Sequence, residues 1–386
     1  MKDHRKSPPR HLTFRVTHRD DPVSEVTEQD TIRAAERYPH IIVRGPVFGF
    51  AEQRPEDAPA WRLLNDVTDG FPQMARDGLN SHLWFRAKEE TRPGDPLREQ
   101  LLAAVALLET EPADELRVGE TRYRIVRGDE FARIGPEGLE GPRPTDPDEP
   151  GLDLAARGPL RRTVSRTQGL LVDHAAPTGV MESIQRMELL SLHYEAERIP
   201  SRIRADSRRA LSTHPGVVLL PAAFTFAERK QKSWEPMAGL QPSPYEARAT
   251  LYNYLAEFLP KLEQGVADED AAAYTRAAEE FRAARPARDG VQVLGRRFQI
   301  IRVERLMRIG PDGPEPPRPT DEDPYGPMQI HPPLAEAEEG ERAERAKKAA
   351  RAGRSPEGAG EDAPQGEREE ERCRETAGEA RPGEGA

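Results

Sequence analysis

Two copies of one polar motif contain the side chains best suited to recognise charge. The motif RIGPxGxExPRPTD occupies residues 133–146, the first strap, and residues 308–321, the second strap. In each strap one arginine, Arg143 or Arg318, lies between two prolines, which hold the surrounding backbone extended. A guanidinium group forms paired, charge-assisted hydrogen bonds with carboxylates and phosphates. The straps therefore predict either an internal ion pair or a site for an anionic group.

Two further arginines precede the straps, and each strap ends on an aspartate. Three explanations stay open. The straps pack against the rest of the chain through arginine–carboxylate pairs, which we prefer; they contact a protein partner or an anion; or they only record a common origin. The candidate binding residues under the second explanation are Arg127, Arg143, Asp146, Arg302, Arg318 and Asp321.

Other patterns of catalytic or metal-binding chemistry are missing from the sequence. The nine histidines show no ligand spacing, and the single cysteine, Cys373, lies in a polar C-terminal segment. Neither a glycine-rich phosphate loop nor a Gly-x-Ser-x-Gly elbow occurs. The sequence therefore predicts no catalytic residue, no metal and no cofactor.

Two arginine clusters lie in the middle of the chain. The net charge of −11 argues against nucleic acid as a partner, and no aromatic residues are interleaved with the clusters. Arginine supplies 49 of the 57 basic residues, as expected for a GC-rich bacterial genome. We therefore interpret the clusters as solvated surface. Their members are Arg157, Arg161, Arg162 and Arg166, and Arg198, Arg202, Arg204, Arg208 and Arg209.

The straps belong to a longer internal repeat. Residues 122–148 and 297–323 are identical at 15 of 27 positions at a constant offset of 175. Residues 38–52 and 214–228 match at five of 15 positions at an offset of 176. Such similarity predicts a tandem duplication of a unit of about 110 residues, which we expect to form a pseudo-twofold arrangement.

Each repeat predicts the same order of elements, which is strand, helix, helix, and strand or hairpin. β-Branched and aromatic residues predict the strands, and apolar residues at helical spacing predict the helices. This order lacks the alternation of a doubly wound fold, so it predicts an α+β class. The strand and hairpin segments are 41–50, 116–126, 217–226 and 291–301; the helical segments are 72–88, 95–108, 243–262 and 271–284.

The expected organisation follows from these repeats. It comprises a flexible N-terminal segment (1–29), the first α+β unit (30–150), a helical connector (151–205), the second α+β unit (206–330) and a disordered tail (331–386). From Ala335 onward the chain has no large apolar residue, so nothing there can offset the backbone entropy that is lost on folding.

The sequence also carries signals about location. The longest aliphatic run, Leu101–Leu108, is far shorter than the roughly 20 residues that span a bilayer. The basic N-terminus lacks the apolar stretch of a signal peptide. A cytoplasmic protein without a membrane partner is expected.

The two straps, together with segments 38–52 and 214–228, resemble an actinobacterial family of uncharacterised proteins, a domain of unknown function. The resemblance covers roughly residues 20–330. It implies no activity, cofactor or catalytic residue.

Two functional hypotheses follow. The preferred one is a non-enzymatic interaction or regulatory protein that contacts a protein partner, in an oligomeric state that the sequence leaves open. The alternative is a binder of a small anionic ligand, or an enzyme, with an arginine-lined site between the units. A deep cleft where the arginines converge would favour the alternative.

Overall fold

One eleven-stranded sheet, in which all paired strands are antiparallel, extends through both halves of the chain. The structure is a computed structural model and describes residues 15–17, 22–148, 164–231, 233–262, 267–284 and 286–352. The chain divides into two units, Met1–Pro332 and Pro333–Ala386, and the sheet lies in the first.

The two halves contain the same order of elements. Because these are helices together with one antiparallel sheet, the predicted α+β class is confirmed. The first half contains α1 (Pro22–Arg37), β1 (His40–Gln53), β2 (Trp61–Leu63), α2 (Pro72–Glu90), α3 (Pro96–Leu108), β3 (Glu115–Val118), β4 (Thr121–Gly135) and β5 (Gly138–Leu139). Between the halves lie β6 (Leu171–Val172) and α4 (Val180–Leu189). The second half contains α5 (Ser201–Thr213), β7 (Gly216–Lys230), β8 (Ser233–Pro236), α6 (Pro244–Asn253), a π-helical turn (Tyr254–Phe258), α7 (Leu259–Leu262), α8 (Asp268–Ala283), β9 (Gly290–Val293), β10 (Arg296–Gly310) and β11 (Gly313–Pro314).

The two halves meet at a central pair of long strands, β4 and β10. The sheet order is β6-β2-β1-β4-β10-β7-β8, so each half contributes one side. Glu130 pairs with Arg305, and these two residues also correspond to each other at the repeat offset of 175. The pairing of β4 with β10 is therefore centred on equivalent positions, as in a twofold arrangement.

Local signals at the helix starts explain why the helices begin where they do. The Asp95 side chain accepts a hydrogen bond from the Leu97 N–H (2.8 Å), and Pro96 follows at the first position of α3. Ser243 does the same for α6 by accepting from the Glu246 N–H (3.2 Å). The π-helical turn immediately precedes α7, which contains Pro260. Proline has no N–H to donate within a helix, and the wider turn accommodates this.

The core is formed by the sheet and by the helices that cover it. In the second half Phe224, Phe226 and Phe298 of the sheet are fully buried against Leu251 and Leu255. In the first half, α2 packs on β1 and against α3. A separate apolar cluster, which includes Trp61 and Met307, combines residues of both halves. Burial across the central strand pair thus joins the halves.

Two described stretches near the ends of the chain are helical, whereas residues 1–14, 18–21 and 353–386 of the predicted flexible and disordered segments lie outside the described residues. Residues 22–37 form α1, whereas the predicted flexible segment extended to residue 29, because a proline start and apolar positions such as Ala34 allow a helix to form and pack. His331, placed in the predicted disordered tail, stacks on Trp84 at a centroid distance of 4.6 Å. Leu334–Ala352 form α9, because Ala, Glu, Lys and Arg are strong helix formers even without an apolar face.

Several predictions fall on other parts of the chain. Arg157, Arg161, Arg162 and Cys373 lie outside the described residues. The predicted boundaries at 150, 205 and 330 stay predictions. No helix among the described residues is long and apolar enough to cross a membrane.

Candidate functional site

The first ion-pair cluster joins β4 to the second strap. Arg127 donates from Nε to Asp321 (2.9 Å) and from Nη1 to Asp129 (2.9 Å). Its Nη2 donates to the hydroxyl of Tyr194 (3.2 Å), which itself donates to Asp129. Arg318 donates from Nε to Glu315 (2.7 Å). The Arg127 side chain is only 1% exposed, so its charge is stabilised by the carboxylates and the hydroxyl around it rather than by water.

The second ion-pair cluster joins β10 to the first strap by the same pattern. Arg302 donates from Nε to Asp146 (3.1 Å) and from Nη1 to Glu304. Arg143 donates from Nε to Glu140 (2.6 Å), with Glu304 at 3.5 Å from Nη2. The members of the two clusters correspond at the offset of 175. They are Arg127, Asp129, Glu315, Arg318 and Asp321 in the first, and Arg302, Glu304, Glu140, Arg143 and Asp146 in the second.

Each strap crosses to the strand of the opposite half. The Arg127 N–H donates to the Glu315 carbonyl (2.9 Å), and the Arg302 N–H donates to the Glu140 carbonyl (2.9 Å). This crossing is possible because β4 and β10 are neighbours, so the chain that leaves one strand passes over the other. An aspartate closes each strap, because Asp146 accepts from the Arg143 N–H (2.7 Å) and Asp321 does so from Arg318 (2.7 Å).

The charges in both clusters stabilise one another against burial. Burial would raise the pKa of Asp129, but the Arg127 and Arg318 guanidinium groups and the Tyr194 hydroxyl hold that pKa below its ordinary value. Burial acts in the same direction on the pKa of Glu304, which Arg302 and Arg143 keep low. Both carboxylates are therefore ionised at neutral pH and already occupied by arginines.

The six candidate binding residues are thus divided between two places. Arg127, Arg318 and Asp321 lie in the first cluster, and Arg302, Arg143 and Asp146 lie in the second. The predicted internal pairs of Arg143 and Arg318 are present, with carboxylates of the same strap and of the opposite half. Whether any of the six binds a ligand stays a prediction.

Sequence reasoning missed the acidic partners and the residues between the halves. Asp129 and Glu304 each stand two positions after an arginine on a strand, which places the pair on one face of the sheet. That repeated spacing could have identified them. Tyr194 and Gln185 lie outside the repeat, and the Gln185 amide donates to Glu304. No sequence signal points to either.

A cavity of about 720 Å³ lies against the second cluster. Its walls come from α1, α4, the turn that precedes α4, β7, and the cluster residues Arg143, Asp146, Arg302 and Glu304. A volume of this order suits a small-molecule ligand. In the first cluster the Tyr194 hydroxyl accepts a hydrogen bond from Arg127. In the second cluster Arg302 faces the cavity instead.

Three arginines of the cavity have donors to spare. Within the described part of the chain, Arg302 Nη2 has no hydrogen-bond partner, unlike Arg127 Nη2 in the first cluster. Arg186, whose side chain is 6% exposed, has no acceptor for its Nε among the residues that the structure describes. The exposed Arg166 makes no ion pair with any described residue. Nor do the described residues contain a group of His, Cys, Asp or Glu side chains that could hold a metal ion.

Tyr194→Phe is expected to lower the free energy of unfolding by about 1–3 kcal/mol at pH 7, because Asp129 loses a buried donor. The loss should shrink as the pH falls toward the lowered pKa of Asp129, since a protonated carboxyl needs the hydroxyl less. Urea denaturation measures the effect. Tyr252→Phe is the control, because its hydroxyl bonds an exposed carboxylate, Glu279, and about 0.5 kcal/mol or less is expected. Equal losses would contradict the role of Tyr194.

Comparison with known proteins identifies a family. Residues 21–324 match the Family of unknown function (DUF5954). This range covers most of the chain, so the chain belongs to that family. Neither a curated protein nor a solved structure matches the chain.

Proposed function

We propose that this member of the DUF5954 family binds a small molecule in the cavity beside the second cluster. The observation that carries the proposal is Arg302 Nη2, which has no hydrogen-bond partner among the described residues and lies at the wall of a cavity of about 720 Å³. The equivalent atom of Arg127 is satisfied by Tyr194 in the first cluster. Arg302 Nη2 is not among the fully buried atoms, so it is accessible from the cavity, where a ligand oxygen could accept its hydrogen bond in place of water.

The ion pairs support binding rather than proton transfer at this site. Arg302 and Glu304 are locked to each other, and Arg143 is bonded to Glu140. Such a network holds the cavity wall in one conformation before a ligand arrives, which lowers the cost of ordering on binding. The preferred hypothesis from the sequence, a protein partner, stays a prediction that affinity capture from native lysate would test.

The experiment compares the wild type with a variant whose cavity is filled. Ala176 lines the cavity, so Ala176→Trp should occupy it, whereas Ala283→Trp places the same ring on the exposed side of α8. A thermal-shift screen of metabolites of about 100–600 Da is expected to yield ligands that stabilise the wild type and Ala283→Trp by several degrees. At about 100 times Kd, a ligand contributes about 2.7 kcal/mol. The proposal would be contradicted if the ligands stabilise Ala176→Trp as much as the wild type, or if the screen finds no compound that stabilises the wild type.

We further propose that the two halves arose by tandem duplication. The constant offset of the cluster residues and the pairing of Glu130 with Arg305 support this. In a dimer of identical chains a residue on the twofold axis would face its own copy, and like charges placed opposite each other destabilise a strand pair. A duplicated chain can place opposite charges there. The excess of arginine, 49 of the 57 basic residues, supports a GC-rich bacterial origin, and the family resemblance implies an actinobacterial one; a cytoplasmic location stays a prediction.

A further inference from the structure

The end of the cavity beside the N-terminus of α4 is acidic. Glu28 of α1 accepts from the Val180 N–H through Oε1 (3.2 Å), and Glu182 in the first turn of α4 pairs with Arg186 through Oε1 (2.6 Å). Asp173 caps the turn before α4 by accepting from the Ala175 N–H through Oδ1 (2.8 Å). The second oxygen of each carboxylate has no hydrogen-bond partner among the residues that the structure describes.

The opposite end of the cavity has two further arginines with spare donors, in addition to Arg186, which is paired with Glu182. Arg302 offers Nη2, and Arg166 offers its whole guanidinium group. Arg166 lies close to Pro221 and Ala222 of β7, since these three residues also line a neighbouring small cavity with Arg305. Pro221 and Ala222 lie in β7 between the residues that pair with Val303 and Arg305 of β10. The guanidinium groups of Arg166 and Arg302 therefore both lie on the side of the cavity that the sheet forms.

Helix α4 gives the distance between the two ends. Glu28 is bonded to the main chain of Val180, and Gln185, five residues later, is bonded to Glu304 beside Arg302. At about 1.5 Å per residue, the two ends lie roughly 7–8 Å apart along the helix. An extended peptide covers about 3.3–3.6 Å per residue, so two or three residues span this distance.

Apolar side chains also line the cavity. They include Leu170, Leu171 and Met181, and those of the segment 218–222 of β7. We infer that the ligand is a zwitterion with an apolar body, such as a short apolar peptide with free termini. Its ammonium group contacts Glu28, Asp173 and Glu182, and its carboxylate contacts Arg302 and Arg166. This inference rests on the proposed function of the cavity.

The balance of charge opposes a simple anion as the ligand. Of the described residues, five carboxylates and four arginines line the cavity, and three of these arginines are already paired with carboxylates. A phosphate would bring more negative charge close to Asp146 and Glu304 than a carboxylate does, and it would bring no cation to the acidic end of the cavity. A zwitterion adds no net charge and satisfies both ends.

Isothermal titration of the full-length protein with di- and tripeptides of Ala, Leu and Phe tests the inference. At least one peptide is expected to bind, and blocking either end, by N-acetylation or by C-terminal amidation, should weaken its affinity at least tenfold. Inorganic phosphate at 10 mM should not compete.

Matched variants connect each end of the peptide to its residues. Glu28→Gln keeps an acceptor for the Val180 N–H and should weaken the free peptide but not the N-acetylated one. Arg166→Gln, which removes an exposed side chain that has no ion pair with any described residue, should weaken the free peptide but not the amide. Glu25→Gln on the exposed side of α1 is the control and should leave the affinity unchanged.

The outcomes separate this inference from the proposed function. If none of the peptides binds while ligands from the metabolite screen do, the zwitterion is wrong and the cavity remains a binding site. If phosphate binds and depends on Arg166, the ligand is a simple anion and the inference is likewise overturned. If blocked peptides bind as well as free ones, the charged ends play no part and the inference fails. If the screen also finds no ligand, both proposals are wrong.

Discussion

Arg127→Met is expected to lower the free energy of unfolding by about 3–5 kcal/mol. Methionine fills much of the same volume but removes the guanidinium that bonds to both Asp129 and Asp321, and it leaves Asp129 with the more distant Arg318 at 3.8 Å. Both carboxylates are at most 7% exposed, so water cannot replace the lost contacts. Removing one partner of a buried ion pair leaves the other charge uncompensated, and that penalty exceeds the modest net contribution of the intact pair.

Chemical denaturation at pH 7 measures this effect, and Arg37→Met is the matched control. Arg37 also pairs with a carboxylate of a strap, Glu137, but both side chains are more than 60% exposed. Surface pairs of this kind contribute about 0–1 kcal/mol. A loss in Arg127→Met no larger than in Arg37→Met would show that the first cluster does not hold the second strap on β4.

The pattern of apolar residues predicted most of the elements. The hairpins between β3 and β4 and between β9 and β10 turn near Gly119 and Gly295, both of which have positive φ. A glycine between two alternating segments is a strong local signal for such a turn. Helices α3 and α6 were likewise indicated by their caps, because a capping side chain and a following proline act within one turn.

Long-range contacts could not be predicted in the same way. The identical residues of the two straps indicate that both make the same kind of contact. They do not show which half of the chain each strap contacts. That choice is made by the pairing of β4 with β10, which depends on residues far apart in the chain. The cavity is even harder to predict from the sequence, because α1 and α4 lie outside the repeated segments and contact each other only in the folded chain.

The clusters also show why repeated residues need not have repeated functions. Both clusters keep the same arginines, and the difference arises from single residues outside the repeat. Tyr194 satisfies Arg127, while Gln185 bonds to Glu304 and leaves Arg302 Nη2 open to the cavity. A duplicated scaffold can thus retain one structural cluster and expose the other to a ligand.

Gly313→Ala is expected to destabilise the protein by about 2–5 kcal/mol, as the sum of two effects. The residue has φ +110°, where an L-residue is strained by about 1–2 kcal/mol. A Cβ atom there would also lie within 2.1 Å of Nε1 of Trp61 and 2.8 Å of its Cδ1. Trp61 is 1% exposed in the core, so the ring cannot move aside, and overpacking of this kind costs about 1–3 kcal/mol.

Two other glycines separate strain from steric contact. Gly94 has φ +85° with nothing within 4 Å of a Cβ, so Gly94→Ala should show strain alone, about 1 kcal/mol. Gly138 is the equivalent of Gly313 in the first strap, with Trp234 at 3.1 Å from a Cβ, and Gly138→Ala should lie between the two. The expected order of loss is therefore Gly313, then Gly138, then Gly94, measured as midpoints of thermal unfolding. Equal shifts for Gly313→Ala and Gly94→Ala would show that the second strap does not press on Trp61, and that its crossing to the first half contributes little to stability.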